Sequence, residues 1–229
     1  MYESNKVLAL IPARGGSRRL PGKNLRLMRG VPLIVHTIRA ALRSSFVDRV
    51  VVSTDDPEIC AVALEHGAEV PFMRPAELAK DTSSSEDVIR HAIRELGHFD
   101  YLALLQPTSP LRTANIIDEC IRKCTERAAP SCITVFRVKH GGRHFFDMNL
   151  ENGALTRLLP PQTHGDAASN TEVTQVNGAV YVVNVDEFLV TNRIISSDTA
   201  ALVMPEWMSI DIDVEEEFRA AEVLLILTE

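Results

Sequence analysis

Val7-Leu8-Ala9-Leu10 runs without a break into Ile11-Pro12-Ala13-Arg14-Gly15-Gly16-Ser17-Arg18-Arg19-Leu20-Pro21-Gly22-Lys23-Asn24. Unbroken apolar residues with no polar alternation are the pattern of a strand buried on both faces, as in a parallel sheet. A strand that empties into glycines and cations is suited to holding phosphates. Gly15, Gly16 and Gly22 let the backbone turn its N–H groups inward, while Arg14, Arg18, Arg19 and Lys23 bring positive charge. Pro12 and Pro21 stiffen the loop, so an arriving anion has less chain to order. The loop also follows the first strand, and open α/β sheets bind ligands beyond the carboxyl ends of their strands. It is not a P-loop: five residues separate Gly16 from Gly22 where that motif has four, and Asn24 stands where it has a magnesium-binding hydroxyl. No G-x-G-x-x-G follows the strand either. The expectation is a loop that grips the triphosphate of a nucleotide.

Downstream, apolar residues at helical spacing (Leu33, Ile34, Ile38, Ala41, Leu42) predict a helix opened by Pro32 and reaching about Ser44. A buried strand follows at 49–54, then a helix begun by Asp55-Asp56-Pro57 and ending near Gly67, then an extended piece at 69–73. Three strand–helix alternations in this span predict an α/β fold with a doubly wound, mostly parallel sheet. Asp81-Thr82-Ser83-Ser84-Ser85 precedes a helix at 88–96. One hydroxyl, of Ser84 or Ser85, suffices to cap it, and the surplus donors and acceptors of the run are candidates to read a base or ribose. A fourth strand at 101–105 ends in Gln106-Pro107-Thr108-Ser109-Pro110-Leu111-Arg112, and Thr113 is placed to cap the next helix.

After a strand at 131–138 the periodicity stops. Residues 139–174 look like an inserted lobe whose Phe145, Phe146, Met148, Leu150, Leu155, Leu158 and Leu159 need burial, for which a second copy of the chain is one solution. A core strand resumes at 177–183. Met208-Ser209-Ile210-Asp211-Ile212-Asp213-Val214 reads as an extended segment that puts both carboxylates on one side, candidates for Mg²⁺. A helix at 215–227 closes the chain.

The 229 residues suit one sizeable domain, and a net charge of −7 argues against nucleic acid as a partner. The cations of the first loop are thus a local positive field on an acidic body, which suits a small polyanion. No apolar run is long enough to span a membrane, and residues 1–6 lack a signal-peptide core, so a cytoplasmic location is the default expectation. Cys120 and Cys124 lie four apart on a helix, but without a second pair they read as buried thiols, and no disulfide is assigned.

Four blocks resemble the acylneuraminate cytidylyltransferase family, the CMP–sialic acid synthetases. They are I-P-A-R-G-G-S-R-R-L-P-G-K-N at 11–24, R-P-A-E-L-A-K-D-T-S-S-S at 74–85, L-L-Q-P-T-S-P-L-R at 104–112, and N-G-A-V-Y at 177–181 with S-I-D-I-D at 209–213. The resemblance implies a Rossmann-like nucleotidyltransferase. Its substrates would be CTP and a nine-carbon 2-keto sugar acid, N-acylneuraminate or a related nonulosonic acid, and its products a CMP-sugar and pyrophosphate. It further implies Mg²⁺ and a homodimer. Carried over, Arg14, Ser17, Lys23 and Asn24 hold CTP, with Arg14 and Lys23 on the phosphates, and Arg74, Ser83 and Ser85 contact cytosine and ribose. Gln106, Thr108, Ser109 and Arg112 face the sugar, as do Asn177 and Tyr181. Asp211 binds the metal with Asp213 beside it.

The relative that activates KDO shares the Arg19-Leu20-Pro21-Gly22-Lys23 stretch, but it continues with S-G-T-E-R and Q-G-D-E-P, where this chain has 81–85 and 106–110. Arg18-Arg19 replaces the Lys-Gly of sialic members. Gln175 stands where arginine is common, and Ile194-Ile195 replaces an aromatic pair near the N-acyl group. Legionaminic and pseudaminic acids stand beside N-acetylneuraminate as substrates, and a catalytically silent nucleotide sensor of the same fold is the alternative from another class.

Overall fold

The computed structural model describes residues 5–138, 146–148, 154–157 and 173–227. Strand β1 (Val7–Pro12) is buried through its first five residues, as its apolar run requires. A small antiparallel hairpin, β2 (Leu27–Met28) and β3 (Val31–Pro32), leads into helix α1 (Leu33–Leu42). Next come β4 (Arg49–Ser53), α2 (Pro57–Glu65), α3 (Ser85–Leu96), β5 (Tyr101–Leu104), α4 (Ala114–Glu126) and β6 (Ser131–Arg137). Two short strands, β7 (Phe146–Met148) and β8 (Leu155–Arg157), pair antiparallel with each other. Then follow β9 (Thr174–Asn184), α5 (Val185–Thr191), β10 (Ala200–Val203) and α6 (Glu215–Leu224), the last extended by a 3-10 turn at Leu225–Leu227.

The main sheet has the order β10-β6-β9-β5-β1-β4. Its pairs are parallel except those made by β9, which runs antiparallel between β5 and β6. Both faces are covered, and β1 shows how. Val7, Ala9 and Ile11 join the core under α1, α2, α4 and α6, while Leu8 and Leu10 join a second core under α3 and α5. That alternation makes an unbroken apolar strand stable.

Helix starts follow their sequence signals. Asp56 accepts from the N–H groups of Glu58 and Ile59 with Pro57 at the first helical position, and Ser84 accepts from Asp87 N. Thr113 occupies the expected cap position of α4, yet its side chain makes no capping bond. The predicted strand at 69–73 shrinks to two isolated bridges against the edge of the sheet, at Glu69 and Met73. Residues 209–213 form no strand. They are an irregular segment pinned by Ile212 N donating to Thr108 O at 2.8 Å. Of the lobe expected at 139–174, the described residues are 146–148, 154–157 and 173–174, and the rest of that expectation lies outside them.

The buried cysteines act as small core residues. Cys120 Sγ donates to Cys132 O and Cys124 Sγ to Ala129 O. Burial pushes the Cys124 thiol up to about 12, which leaves it protonated at neutral pH.

Candidate active site

The carboxyl ends of β1, β4 and β5 open on one edge of the sheet, and the segments that follow them meet there. The loop after β1 is held from below by β4. Ala13 N donates to Ser53 O at 2.9 Å and Gly15 N to Asp55 Oδ1 at 3.1 Å. At Gly15 a side chain would run into Asp56, so glycine is required for this close approach. Asn24, buried, closes the loop on itself by donating from Nδ2 to Arg14 O at 3.0 Å.

Across from the loop lies the 209–213 segment. Ile212 is fully buried, and this turns its neighbours Asp211 and Asp213 toward the opening. Lys23 links the two walls: Nζ donates to Ile212 O at 2.6 Å and to Asp213 Oδ1 at 3.2 Å. Arg19 pairs with the other Asp213 oxygen at 2.9 Å. The Asp213 backbone N–H is itself held by the Glu217 carboxylate at 2.6 Å, at the start of α6.

Between these walls is a cavity of about 570 Å³ whose lining includes Arg14, Ser17, Lys23, Asn24, Gln106, Thr108, Asp211 and Asp213. A smaller one of about 250 Å³ adjoins it through the shared residues Pro12, Arg14 and Asp81, and is lined by Arg74, Ser83 and Ser85. Arg74 is buried and donates to the side chain and carbonyl of Ser53. Burial brings its pKa down to about 10, so it stays cationic at neutral pH. Ser84 is occupied as the cap of α3. Ser83 donates to Glu77 O at 3.0 Å, which orients its hydroxyl beside the smaller cavity.

Asp211 is exposed to the cavity that it lines. Burial raises its pKa, a Thr108 hydrogen bond lowers it, and the nearby Asp213 carboxylate raises it again. A carboxylate in such a field gains from a cation. Among the described residues no three His, Cys, Asp or Glu side chains gather into a metal cage. The donor set therefore fits Mg²⁺ of the kind that takes one or two carboxylates and completes its shell with phosphate and water. Asp211 would be the open ligand. Asp213 already faces two cations, so a metal role for it competes with Arg19 and Lys23.

Of the residues expected to face the sugar, three are buried against protein and a fourth, Tyr181, is outside the lining of the larger cavity. Arg112 is buried under the site, donating from Nε to Ala179 O at 2.7 Å, from Nη2 to Gln106 O at 2.5 Å and from Nη1 to Thr37 Oγ1 at 3.1 Å. Ser109 is fully buried, its hydroxyl toward Asn177 O. Asn177 donates from Nδ2 to Ser209 Oγ and Met204 Sδ, and accepts at Oδ1 from Thr134 Oγ1 and Ala179 N. These three are braces: their polar groups satisfy buried backbone where β9 bulges against β6, between the Ile133 and Val135 pairings. Tyr181 is half-buried on β9 outside the cavity lining. Burial and then the Asp211 and Glu86 charges raise its pKa.

Two site residues escaped the sequence analysis. Asp81 pairs with Arg14 at 2.5 Å and with Arg18 at 2.6 Å. It belongs to the same Asp81–Ser85 run as the serines, and an acid beside a helix start reads in sequence as a solvated capping residue. Gly178 has φ +74, and a Cβ there would come within 2.6 Å of Gln106 Oε1 on the cavity wall. A lone glycine inside a strand pattern signals a bulge or a close approach, and it is both.

A mostly parallel sheet whose strand ends hold a cationic loop against an acidic segment defines a nucleotide-processing α/β protein. The family model described as "Cytidylyltransferase" matches residues 8–157, and the chain belongs to that family. It is 36% identical to the CMP-N,N'-diacetyllegionaminic acid synthase of Legionella pneumophila, over 98% of either chain. It is 32% identical to the N-acylneuraminate cytidylyltransferase of Escherichia coli, covering 94% of this chain and 51% of that longer protein. A solved CMP:2-keto-3-deoxy-manno-octonic acid synthetase complexed with CTP superposes with a TM-score of 0.74, over 98% of this chain and 100% of the other. At 19% identity that likeness speaks for the fold alone.

Proposed function

We propose that the protein is a cytidylyltransferase that joins CTP to a nine-carbon 2-keto sugar acid, giving a CMP-sugar and pyrophosphate. The observation that carries this is the meeting of the 14–24 loop and the Asp211–Asp213 segment on one cavity, next to a second cavity lined by Arg74, Ser83 and Ser85. Phosphates fit the first and a nucleoside the second. The sugar's anomeric hydroxyl attacks the α-phosphorus, forming one O–P bond as the bond to pyrophosphate breaks. Charge builds on phosphate oxygens, so positioning and electrostatics do most of the work. Lys23 keeps a third N–H for those oxygens while its other two fix the opposite wall. Arg14 is the second cation, and Gln106 and Thr108 line the side left for the sugar. Asp211 would hold Mg²⁺, which would supply further neutralisation of the phosphates and acidity to the attacking hydroxyl.

The Legionella relative puts diacetyllegionaminate first among substrates to try, with N-acetylneuraminate and pseudaminate beside it. The proposed enzyme works in the cytoplasm, where CTP is made, as a homodimer joined through its 139–174 lobe. Pyrophosphate release from CTP across these acids and KDO is the test. Release with a nonulosonic acid supports the proposal, release with KDO alone favours the octonic-acid reading, and tight CTP binding with no release at all favours the silent sensor.

A further inference from the structure

All four cations of the first loop have partners within the chain. Arg19 and Lys23 share Asp213, and Arg14 and Arg18 share Asp81. The two carboxylates are not held alike. Asp213 is fixed by Lys23, by Glu217 and by the buried Ile212 beside it. Asp81 lies in a turn between the 3-10 helix at Ala76–Leu78 and α3, tied through Ser83 N to Lys80 O and Ser83 Oγ to Glu77 O.

Asp81 also stands where a nucleotide would lie. It borders the larger cavity, the smaller one, and a recess of about 410 Å³ reaching Gly16 and Lys80, and Arg14 borders all three with it. A ligand with its base beside Arg74 and its phosphates beside Lys23 crosses the Arg14–Asp81 pair. One Asp81 oxygen meets Arg14 Nη2 and the other meets Arg18 Nε, so one anionic group serves two guanidinium groups, as a phosphate does.

We propose that Asp81 is a built-in substitute for the nucleotide's phosphates: its carboxylate holds Arg14 and Arg18 across the site until a triphosphate displaces it. This rests on reading the larger cavity as the triphosphate site. About a third of each side chain in the Arg14–Asp81 pair is exposed, and Arg18 is more exposed still. Pairs of that kind shift an equilibrium by up to about fivefold each, enough to compete with a weak anion and too little to exclude a triphosphate. Once pyrophosphate has left, the single phosphate charge of a CMP-sugar holds the arginines less strongly, and the return of Asp81 favours release.

Titration calorimetry on the full chain with CTP, inorganic tripolyphosphate and cytidine tests this in the wild type, Asp81→Asn and Asp81→Ser. Both variants are expected to bind CTP and tripolyphosphate about three- to tenfold more tightly at low salt, with the gain shrinking as salt rises and cytidine unaffected. Either replacement leaves the backbone bonds of the turn in place, and thermal melts establish that both fold. If the variants bind CTP equally or more weakly, Asp81 is a brace for Arg14 and the substitute role is wrong, while the triphosphate site stands. A wild type that binds neither CTP nor tripolyphosphate overturns the site and this proposal together.

Discussion

Lys23 Nζ is largely enclosed, with 12% of the side chain exposed, and it holds the Ile212 carbonyl and Asp213 while facing the cavity. Removing it loosens the opposite wall and, on the proposed reading of the site, deletes a phosphate donor. Lys23→Ala is expected to lower turnover about 10²–10³-fold, the scale of a lost oxyanion donor, measured as pyrophosphate release. Unchanged turnover would remove the triphosphate grip. Asp211 works in the opposite sense for stability. Its pKa stands above the ordinary 3.8, so the folded chain holds the proton more tightly than the unfolded chain does. Stability is therefore lost as pH rises from about 3.8 through the raised pKa. Asp211→Asn is expected to melt at a higher temperature than wild type at pH 7 in magnesium-free buffer while losing activity. That advantage should vanish as the pH falls below about 4, where the wild-type carboxyl is protonated. A variant that melts lower at pH 7 would show that the Thr108 hydrogen bond outweighs the burial and charge repulsion.

Among the elements, β9 decides the shape of the site. Its bulge lets Gly178 sit against Gln106, and the buried Arg112 ties Gln106 O and Ala179 O together behind it. Gly178→Ala meets both a left-handed backbone and a glutamine oxygen. A loss of about 1–2 kcal/mol in urea unfolding is expected, together with a rise in the sugar's KM as Gln106 moves. Arg112→Met takes the guanidinium donor from the buried Ala179 carbonyl and leaves Gln106 O with Ser109 N alone, and is expected to destabilise by about 2 kcal/mol. The KM for sugar in the folded fraction should stay within about threefold of wild type, because no donor of Arg112 reaches the cavity; a selective KM increase without loss of stability would restore the sugar-facing role.

Strongly periodic elements were legible from sequence. β1, α1, β4 and α4 fell within a few residues of their expected places because each carries an apolar face and a boundary residue. β10 was missed because Ala200-Ala201-Leu202-Val203 is short and weak in β-formers. α5 was hidden by the run of valines that continues β9, although Asn184, which accepts from Glu187 N, marked its start. In the site, residues that touch the cavity through local loops were legible. Arg112, Ser109 and Asn177 were not separable from them, since a polar group that braces a buried bulge looks the same in sequence as one that meets a ligand.

Taken whole, the molecule is stitched from its two ends. Beyond the Lys23 link, Arg26 pairs with Glu215 at 2.5 Å and stacks on Phe218, and Arg29 N donates to Glu222 at 2.8 Å. The first loop and the last helix thus form one unit around the cavity. β7 and β8 are different: among the described residues they pair with nothing but each other. A lone two-stranded ribbon is marginal in water, and the 139–174 segment around it is rich in phenylalanine and leucine. Such a ribbon needs a surface to pack on, and a second copy of the chain offers an identical ribbon related by symmetry. Sedimentation equilibrium is expected to give a mass of twice 25.3 kDa. Replacing Phe146 and Leu155 together with aspartate is expected to shift it toward the single-chain mass while leaving CTP binding in place. A single-chain mass for the wild type would assign the lobe's apolar residues to packing within one chain.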